Sequence, residues 1–410
     1  MKGCLFFFAL LFFNLCHSAS LDSLLTRLRT EDGLPGDEIH YIHQDDLGFL
    51  WILTRGGVTR YDGLEFETWT HSEQDTATLT HDFTTCLKKG PYGHYWIGTI
   101  EGVCRINKRD LQVERLNCIP ELQDTWITSI EFDSSGNAWI GTDGNGLVVV
   151  SFDSEQVAPA SFRHYTKVEN DSTSLSSDQI RTIIIDQRSH IVYVATTVGL
   201  NIYRPEQDSF VRFYCQPDLD SFTHDPFPSL DNDMVSFIQD KNGIFFIGSR
   251  SHRVSRLEME GFTVRSFKSY MLDLTYKEVI SGLAVEPYSE HLWVGTNRGK
   301  VFQLNCQDGS YEQMLWIQGH ETHDGYPTGI TCLFFDTSNL LWLGTRYGLY
   351  NCEVKPYGFR QVGHYPESPS TLRTHRVTSV YEASDGLIYV GTLLEEIGRA
   401  SCRERVCHRV

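Results

Sequence analysis

A phrase of four residues recurs eight times along this chain of 410 residues. Each copy has an aromatic residue, an aliphatic residue, a third residue that is usually glycine, and a threonine or serine. The eight aromatic residues are Trp51, Trp96, Trp139, Tyr193, Phe246, Trp293, Trp342 and Tyr389. Successive copies lie 43 to 54 residues apart, which is about the length of one four-stranded propeller blade.

Each repeat unit has the pattern of four short strands. In the third unit, residues 128–132, 138–142, 147–152 and 162–165 alternate apolar with polar side chains between turn residues, as hairpins require. No stretch carries a long helical period. We therefore predict an all-β fold, a seven-bladed β-propeller of four-stranded antiparallel blades followed by the first blade of a second propeller. The recurring aromatic residues are expected to pack between neighbouring blades, because a blade cannot bury its flat face alone.

The two ends of the chain differ from the repeats. Residues 1–20 carry Lys2 and then an apolar run too short to span a bilayer, which predicts a signal peptide. The propeller is predicted over residues 21–355, and a truncated second propeller over 356–394. Leu24 to Leu28 precede the first blade where a fourth strand would lie, so we expect them to complete blade seven, which otherwise runs from Ile330 to Val354. Residues 395–410 lose the pattern and resemble translated adaptor or vector sequence, so we interpret them as a non-native tail.

Composition excludes several function classes. The net charge of −18 argues against nucleic-acid binding, which needs clustered basic residues. The chain lacks a phosphate-binding glycine loop, a nucleophile elbow and the zinc-protease helix motif, so we predict no catalytic residue, no metal and no cofactor. Seven cysteines lie between the two ends, at positions 86, 104, 118, 215, 306, 332 and 352. Most fall in strand-like runs and are interpreted as buried thiols.

The repeats resemble a known family. The segments that carry the resemblance are Asp45 to Trp51 with Gly57 to Gly63, Asp133 to Thr142, and Gly199 to Tyr203. They are similar to the two-component-regulator propeller repeat, which forms the periplasmic half of hybrid sensor histidine kinases, mainly in Bacteroidetes-type bacteria. The resemblance covers residues 24 to 394 and implies a periplasmic sensor fragment of a longer, membrane-anchored and dimeric protein.

Three functions follow as hypotheses. The first is a sensor domain that binds an oligosaccharide or another small ligand and controls transcription of polysaccharide-use genes. This fragment would have no enzymatic activity, and the intact protein would be a histidine kinase. The second is a stand-alone secreted propeller enzyme, a lyase or glycosidase. The third is a protein-interaction propeller. Membrane contact would come only through a downstream segment, and no nucleic-acid contact is expected.

The candidate ligand-binding residues are of two kinds. Single arginines follow the phrase in several blades and would ring one face of a propeller, where they could contact an anionic ligand such as an acidic sugar. Tryptophans outside the recurring position lack the blade-packing explanation and could offer flat faces to a sugar. These candidates are Arg55, Arg250, Arg298, Arg346, Trp69, Trp126 and Trp316. For all of them a solvated loop or a structural contact is the competing interpretation.

Overall fold

The computed structural model describes residues 25–152, 161–216, 221–226, 229–289, 291–317, 328–354, 377–382, 387–392, 398–401 and 408–409. The chain forms two compact units, Met1–Val354 and Lys355–Val410. Across the described ranges, no helix is both long and apolar enough to cross a membrane. The predicted signal peptide, residues 1–20, lies outside the described residues.

The first unit consists of seven antiparallel sheets, here called blades 1 to 7. A short strand, β1 (Thr26–Leu28), precedes them. Blades 1 to 3 contain β2 (Ile39–Gln44), β3 (Leu50–Thr54), β4 (Gly57–Tyr61), β5 (Phe66–Trp69), β6 (Thr84–Lys89), β7 (His94–Thr99), β8 (Gly102–Asn107), β9 (Val113–Arg115), β10 (Ile127–Phe132), β11 (Ala138–Thr142), β12 (Leu147–Ser151) and β13 (Ser161–Tyr165). Blades 4 and 5 contain β14 (Ile180–Ile185), β15 (Val192–Thr196), β16 (Gly199–Arg204), β17 (Ser209–Gln216), β18 (Ser221–Thr223), β19 (Met234–Gln239), β20 (Phe245–Ser249), β21 (Arg253–Glu260) and β22 (Thr263–Met271). Blades 6 and 7 contain β23 (Ile280–Val285), β24 (His291–Thr296), β25 (Lys300–Asn305), β26 (Tyr311–Trp316), β27 (Ile330–Phe335), β28 (Leu340–Thr345) and β29 (Gly348–Glu353).

Within each blade the strands are named a to d in order from the inner edge. Every inner strand a contacts the inner strand of the next blade, and β27 contacts β2, so the blades form a closed ring. Single 3-10 turns lie in the connections, at Thr30–Asp32, Pro91–Gly93, Pro120–Leu122 and Leu230–Asn232. The predicted seven-bladed propeller of four-stranded antiparallel blades is confirmed, with a fifth strand, β18, added to blade 4.

Blade 7 takes its outer strand from the beginning of the chain. Strand β1 pairs antiparallel with β29, with Thr26 opposite Asn351 and Leu28 opposite Leu349. The sheet order β1-β29-β28-β27 is the one predicted from the position of Leu24 to Leu28. Because β1 covers the edge of β29, the closing blade has the same four strands as the others and its third strand is not left unpaired.

The recurring aromatic residues fill the spaces between blades, as predicted. Trp51 of blade 1 lies 4.6 Å from Tyr95 of blade 2, measured between ring centroids. Similar contacts cross four further interfaces and join Trp96 to Phe132, Trp139 to Tyr203, Tyr193 to Phe245 and Trp293 to Phe335. Phe246 and Trp342 belong to apolar clusters shared with blades 6 and 1. Each of these aromatic residues is therefore explained by packing.

An aspartate in the turn between strands a and b holds the indole in place. Asp45 accepts hydrogen bonds from the amides of Leu47 and Phe49 and, through Oδ2, from Trp51 Nε1 at 3.1 Å. Asp133 and Asp336 make the same contacts with Trp139 and Trp342. The spacing of six residues from aspartate to tryptophan is thus a structural feature.

The third residue of the phrase is small because the first side chain of strand a in the next blade packs directly against it. A Cβ built on Gly98, Gly141, Gly248, Gly295 or Gly344 would lie 2.6 to 3.0 Å from Cγ2 of the isoleucine that starts the following strand a. For Gly344 that isoleucine is Ile39 of blade 1, across the ring closure. Blade 1 has Leu53 here instead, and blade 2 correspondingly begins with the smaller Thr84. The sizes of the two residues are matched.

The threonine of the phrase closes the turn between strands b and c. Its hydroxyl donates to the backbone carbonyl of the glycine three or four residues later, at 2.7 to 3.0 Å, in the residues Thr54, Thr99, Thr142, Thr196 and Thr345. These threonines are fully buried. A buried hydroxyl needs such a partner, so both the threonine and the glycine are explained by one turn.

The cysteines of the first unit lie mainly inside the blades. Five are buried, Cys332 is half-buried and Cys118 is exposed. Burial raises the pKa of Cys86 to about 12 and that of Cys104 to about 11. The buried thiols therefore remain protonated at neutral pH and pack as small apolar side chains, as predicted.

The second unit contains one antiparallel sheet among its described residues. Its strands are β30 (Val377–Glu382), β31 (Leu387–Thr392), β32 (Gly398–Ser401) and β33 (His408–Arg409), in that order. Tyr389 lies in the second strand, opposite Tyr381, as a recurring strand-b aromatic should. That this sheet begins a second propeller, and that residues 395–410 are non-native, stay predictions.

The size matching at blade interfaces can be tested with Gly141. In the variant Gly141→Leu the new side chain collides with Ile180, and we expect the free energy of unfolding to fall by about 2 kcal/mol through overpacking. The double variant Gly141→Leu/Ile180→Thr imitates the Leu53 and Thr84 arrangement and should recover at least half of that loss. Urea unfolding followed by tryptophan fluorescence measures both, with Ile180→Thr alone completing the cycle. A double variant no more stable than the sum of the two single effects would contradict size matching.

The aspartate turn can be tested with two substitutions of one residue. Asp45→Ala leaves two amides, the Trp51 indole and the Tyr95 hydroxyl without their acceptor, and we expect a loss of about 3 kcal/mol. Asp45→Asn keeps one acceptor oxygen for the amides and should lose less. Thermal unfolding of both variants gives the comparison. If Asp45→Asn were as stable as the unchanged protein, the hydrogen bonds to Trp51 and Tyr95 would contribute nothing.

Candidate functional site

The ring of the first unit has two different ends. The b–c end carries the turns between strands b and c together with the connections that lead into each strand a. The a–b end carries the turns between strands a and b and between strands c and d. The inner strands of all seven blades line a central cavity of about 710 Å³ that runs between these ends.

Aromatic side chains meet at the b–c end of blades 1 to 3. Phe83 and Trp126 each immediately precede a strand a, and their rings meet edge to face with centroids 5.5 Å apart. His40, on β2, stacks on the Phe83 ring with the centroids 4.2 Å apart. Trp126 is 44% exposed. His40, Phe83 and Trp126 form the group that we call the aromatic patch.

A charged pair borders the aromatic patch. The Arg55 guanidinium lies 5.7 Å from the centroid of the Phe83 ring, and its Nη1 is 3.2 Å from Glu38 Oε2. His40 Nε2 lies 3.8 Å from the other oxygen of Glu38. The His40 imidazole and the Arg55 guanidinium lower the pKa of Glu38 to about 2. The patch therefore combines aromatic faces with a fixed carboxylate and a guanidinium.

Polar side chains lie just before strand a in blades 4 and 5, at the positions equivalent to Phe83 and Trp126. Arg181 and Arg250 both form ion pairs with Asp233, at 3.2 and 2.6 Å. Gln179 Nε2 donates to Asp143 Oδ1 at 3.2 Å. Hydrogen-bonding groups therefore continue around the b–c end beyond the aromatic patch.

One ion pair lies along the wall of the central cavity. Lys88 Nζ is 2.6 Å from Glu131 Oε1, and both residues belong to inner strands. Burial raises the pKa of Glu131 even though Lys88 opposes the shift. The cavity wall is otherwise made mainly of apolar and hydroxyl side chains.

The structure brings two of the predicted site residues together. Arg55 and Trp126 both lie beside the Phe83 ring. Arg250 belongs to the separate cluster around Asp233. Arg298 and Arg346 lie exposed in the b–c turns of blades 6 and 7, with no ion pair to any described residue.

The other two tryptophans lie away from the patch. Trp69 ends strand β5, is half-buried, and stacks on Trp51 at 5.4 Å, so blade packing accounts for it. Trp316 ends the outer strand β26 of blade 6 and is 48% exposed. It therefore offers an isolated aromatic surface.

Sequence reasoning missed Phe83, His40 and Glu38. A signal was present, because the residue immediately before strand a is equivalent in every blade. At that position blades 1 to 7 have Glu38, Phe83, Trp126, Gln179, Asp233, Val279 and Gly329. The next position is isoleucine in five of the seven blades, whereas this one differs in every blade. Variation at one exposed position of a repeat is typical of a binding surface on a rigid scaffold.

The composition of the patch suits a sugar better than a metal or an anion alone. Flat aromatic faces pack against the apolar face of a pyranose, and carboxylate and guanidinium groups hydrogen-bond its hydroxyls. Within the described ranges, no group of three histidine, cysteine, aspartate or glutamate side chains could hold a metal ion.

Comparison with known proteins gives a family match over one short segment and a shared fold over most of the chain. The family model described as two component regulator propeller matches residues 121–144. The extracellular domain assigned to the hybrid two component system BT3049 from B. thetaiotaomicron is 19% identical, with a TM-score of 0.62, and the alignment covers 94% of this chain and 54% of that one. The corresponding domain of BT4673 is 18% identical, with a TM-score of 0.60 and coverage of 92% and 45%. The chain thus spans about half the length of these two structures.

A lyase has the same fold. Virginiamycin B lyase from Staphylococcus aureus is 13% identical, with a TM-score of 0.57, covering 81% of this chain and 99% of the lyase. No sequence among the curated proteins matches the chain. The residues that the family model matches are strands a and b of blade 3 with the turns beside them, and their pattern recurs around the ring. Residues 121–144 therefore match the two component regulator propeller repeat, and the first unit shares its propeller fold with these solved structures.

Proposed function

We propose that the first unit is an extracytoplasmic sensor domain that binds an oligosaccharide at the aromatic patch. The observation that carries the proposal is the exposed Trp126 beside Phe83, with the Arg55–Glu38 ion pair at its border. Sugar rings would stack on the indole, and their hydroxyls would bond to the charged pair and to the polar groups of blades 4 and 5. The rigid ring fixes these groups before the ligand arrives, which limits the entropy lost on binding.

The larger assembly is part of the same proposal. The chain would be the exported, periplasmic part of a dimeric hybrid histidine kinase that controls polysaccharide-use genes. The family and the fold shared with extracellular domains of two component systems support this role. Ligand binding would shift the population between two arrangements of the dimer, in proportion to its differential affinity for them.

The lyase-like alternative has support from the shared fold. A lyase needs a base that can take a proton near neutral pH. Glu38, the carboxylate at the aromatic patch, has a pKa of about 2 and is too weak a base for that step. Glu38 is therefore not suited to serve as the base of a lyase at this patch.

The binding proposal predicts different effects for two equally exposed tryptophans. Trp126→Ala should weaken binding of the recognised oligosaccharide at least tenfold, because it removes the main stacking surface. Trp316→Ala, a matched control of similar exposure on the far edge of blade 6, should change affinity less than twofold. Isothermal titration calorimetry against a panel of plant and host oligosaccharides makes the measurement.

The calorimetry can also contradict the proposal. If no oligosaccharide of the panel bound to the unchanged protein, or if Trp126→Ala bound as tightly as Trp316→Ala, the aromatic patch would not be the sugar site. Product formation in the same samples would instead support the lyase-like alternative.

The Arg55–Glu38 pair predicts a pH dependence of stability. Because folding lowers the pKa of Glu38 from 4.5 to about 2, its ionised form stabilises the fold above pH 4.5, and that contribution is lost as the pH falls toward 2. Glu38→Gln should therefore be less stable than the unchanged protein at pH 7, and the difference should shrink as the pH falls through this window. Urea unfolding at pH 7, 4 and 3 tests this, and a constant difference at all three values would be the contrary result.

A further inference from the structure

A second cavity lies between blades 5 and 6 at the a–b end, opposite the aromatic patch. Its volume is about 800 Å³. One wall is the sheet of blade 5, with Phe246, Arg256, Lys268 and Tyr270, and the other is formed by turns of blade 6. We call it the blade 5–6 cavity.

The cavity lies where blade 5 has a phenylalanine instead of the recurring tryptophan. Phe246 occupies the recurring aromatic position, where blades 1, 3 and 7 have tryptophans that donate to a turn aspartate. The aspartate of blade 5, Asp240, still accepts the amides of Asn242 and Ile244. A phenyl ring is smaller than an indole and has no N–H group, so it leaves room beside this turn.

The residues paired with Phe246 across the strands of blade 5 also differ from their equivalents in blades 1 and 2. In blade 1 the aromatic Trp51 is paired across the strands with Arg60, and Arg60 with Glu67, whose carboxylate is 2.6 Å from the guanidinium. Blade 2 repeats this row, with Arg105 2.7 Å from Glu114. Here the row is Phe246, Arg256 and Lys268. A lysine stands where the neutralising glutamate stands in blades 1 and 2, although like charges on opposed strands are destabilising.

The cations of the cavity are only partly neutralised. Arg256 pairs with Glu258 at 2.6 Å. Among the described residues, Lys268 Nζ donates only to the carbonyl of Gln307, at 3.2 Å, and it lies 4.9 Å from the Tyr270 centroid. Lys241 Nζ bonds to the carbonyl of Pro287 at 2.9 Å. Neither lysine has a carboxylate of any described residue within 4.0 Å.

The acidic groups of the cavity already have donors. Asp240 holds its own turn. Glu286 accepts from Trp293 Nε1 and from Gln303 Nε2. Lys268 and Lys241 are therefore the lysines of the cavity that lack a carboxylate of a described residue at ion-pair distance, and Asp308 acts on Lys268 only from farther away. At the rim, Tyr288 is 69% exposed and presents an aromatic ring to the opening.

We propose that the blade 5–6 cavity binds one acidic sugar residue, with its carboxylate or sulfate on Lys268 and Lys241 and its ring against Tyr288. An anion restores the charge balance that a glutamate supplies in blades 1 and 2, and ammonium groups in a partly enclosed site bind it more strongly than in water. This site is separate from the aromatic patch, so the two binding proposals can be tested and refuted independently.

The test uses variants that imitate other blades of the same ring. Calorimetry measures binding of D-glucuronate, glucose 6-sulfate and glucose to the whole chain. Lys268→Glu recreates the arginine–glutamate pair of blades 1 and 2, so it should fold normally and bind the anions at least tenfold more weakly. Phe246→Trp fills the cavity and should have the same effect. Lys277→Glu makes the same charge change at an exposed lysine outside the cavity and should change affinity less than twofold.

The outcomes separate clearly. Tighter binding of glucuronate indicates a carboxylate ligand and tighter binding of glucose 6-sulfate a sulfated one, and either supports the proposal if glucose binds more weakly and sodium chloride reduces the affinity. The proposal is overturned if neither anion binds, if glucose binds equally well, or if Lys268→Glu, shown to be folded by its thermal unfolding, keeps full affinity.

Discussion

A four-stranded blade has two apolar faces and can cover neither by itself, so every blade depends on contact with its two neighbours. At each interface in this chain, an aromatic side chain from strand b of one blade packs against the inner strands of the next blade. The same interface must close between blades 7 and 1. Gly344 against Ile39 and β1 against β29 make that closure. Residues more than 300 positions apart in the chain therefore form one of the seven contacts between blades.

This requirement explains which repeat positions vary. The aspartate of the a–b turn, the aromatic residue, the glycine and the threonine each have a partner at the blade interface or in a turn, and changing one of them disturbs packing. The residue just before strand a contacts only the b–c end of the ring, and it is free to differ from blade to blade. The aromatic patch and the Asp233 cluster occur at these positions. Function can therefore change without loss of the ring.

Blade 5 shows a different kind of variation. Its aromatic residue and the residues paired across the sheet depart from the pattern of blades 1 and 2, and a cavity is present at the same place. Such a departure lowers the packing density of one interface. A closed ring tolerates this because the six other interfaces hold the blade in position. Local departures from a structural repeat are thus where binding sites are expected.

Much of the fold was predictable from the sequence, because it depends on short-range patterns. The period of the aromatic phrase set the number of blades, and the alternation of Ile127 to Tyr165 set the strands of blade 3 to within one residue. The position of Leu24 to Leu28 even indicated the closing strand. Of the candidate site, the sequence indicated Arg55 and Trp126 as residues without a packing role, but it also named Trp69, which stacks on Trp51. The sequence by itself determined the repeat, because each blade is built from contacts within about 45 residues. Only the tertiary structure decided which exposed residues meet, because Arg55, Phe83 and Trp126 belong to three successive blades and come together solely through the angle at which the blades pack around the ring.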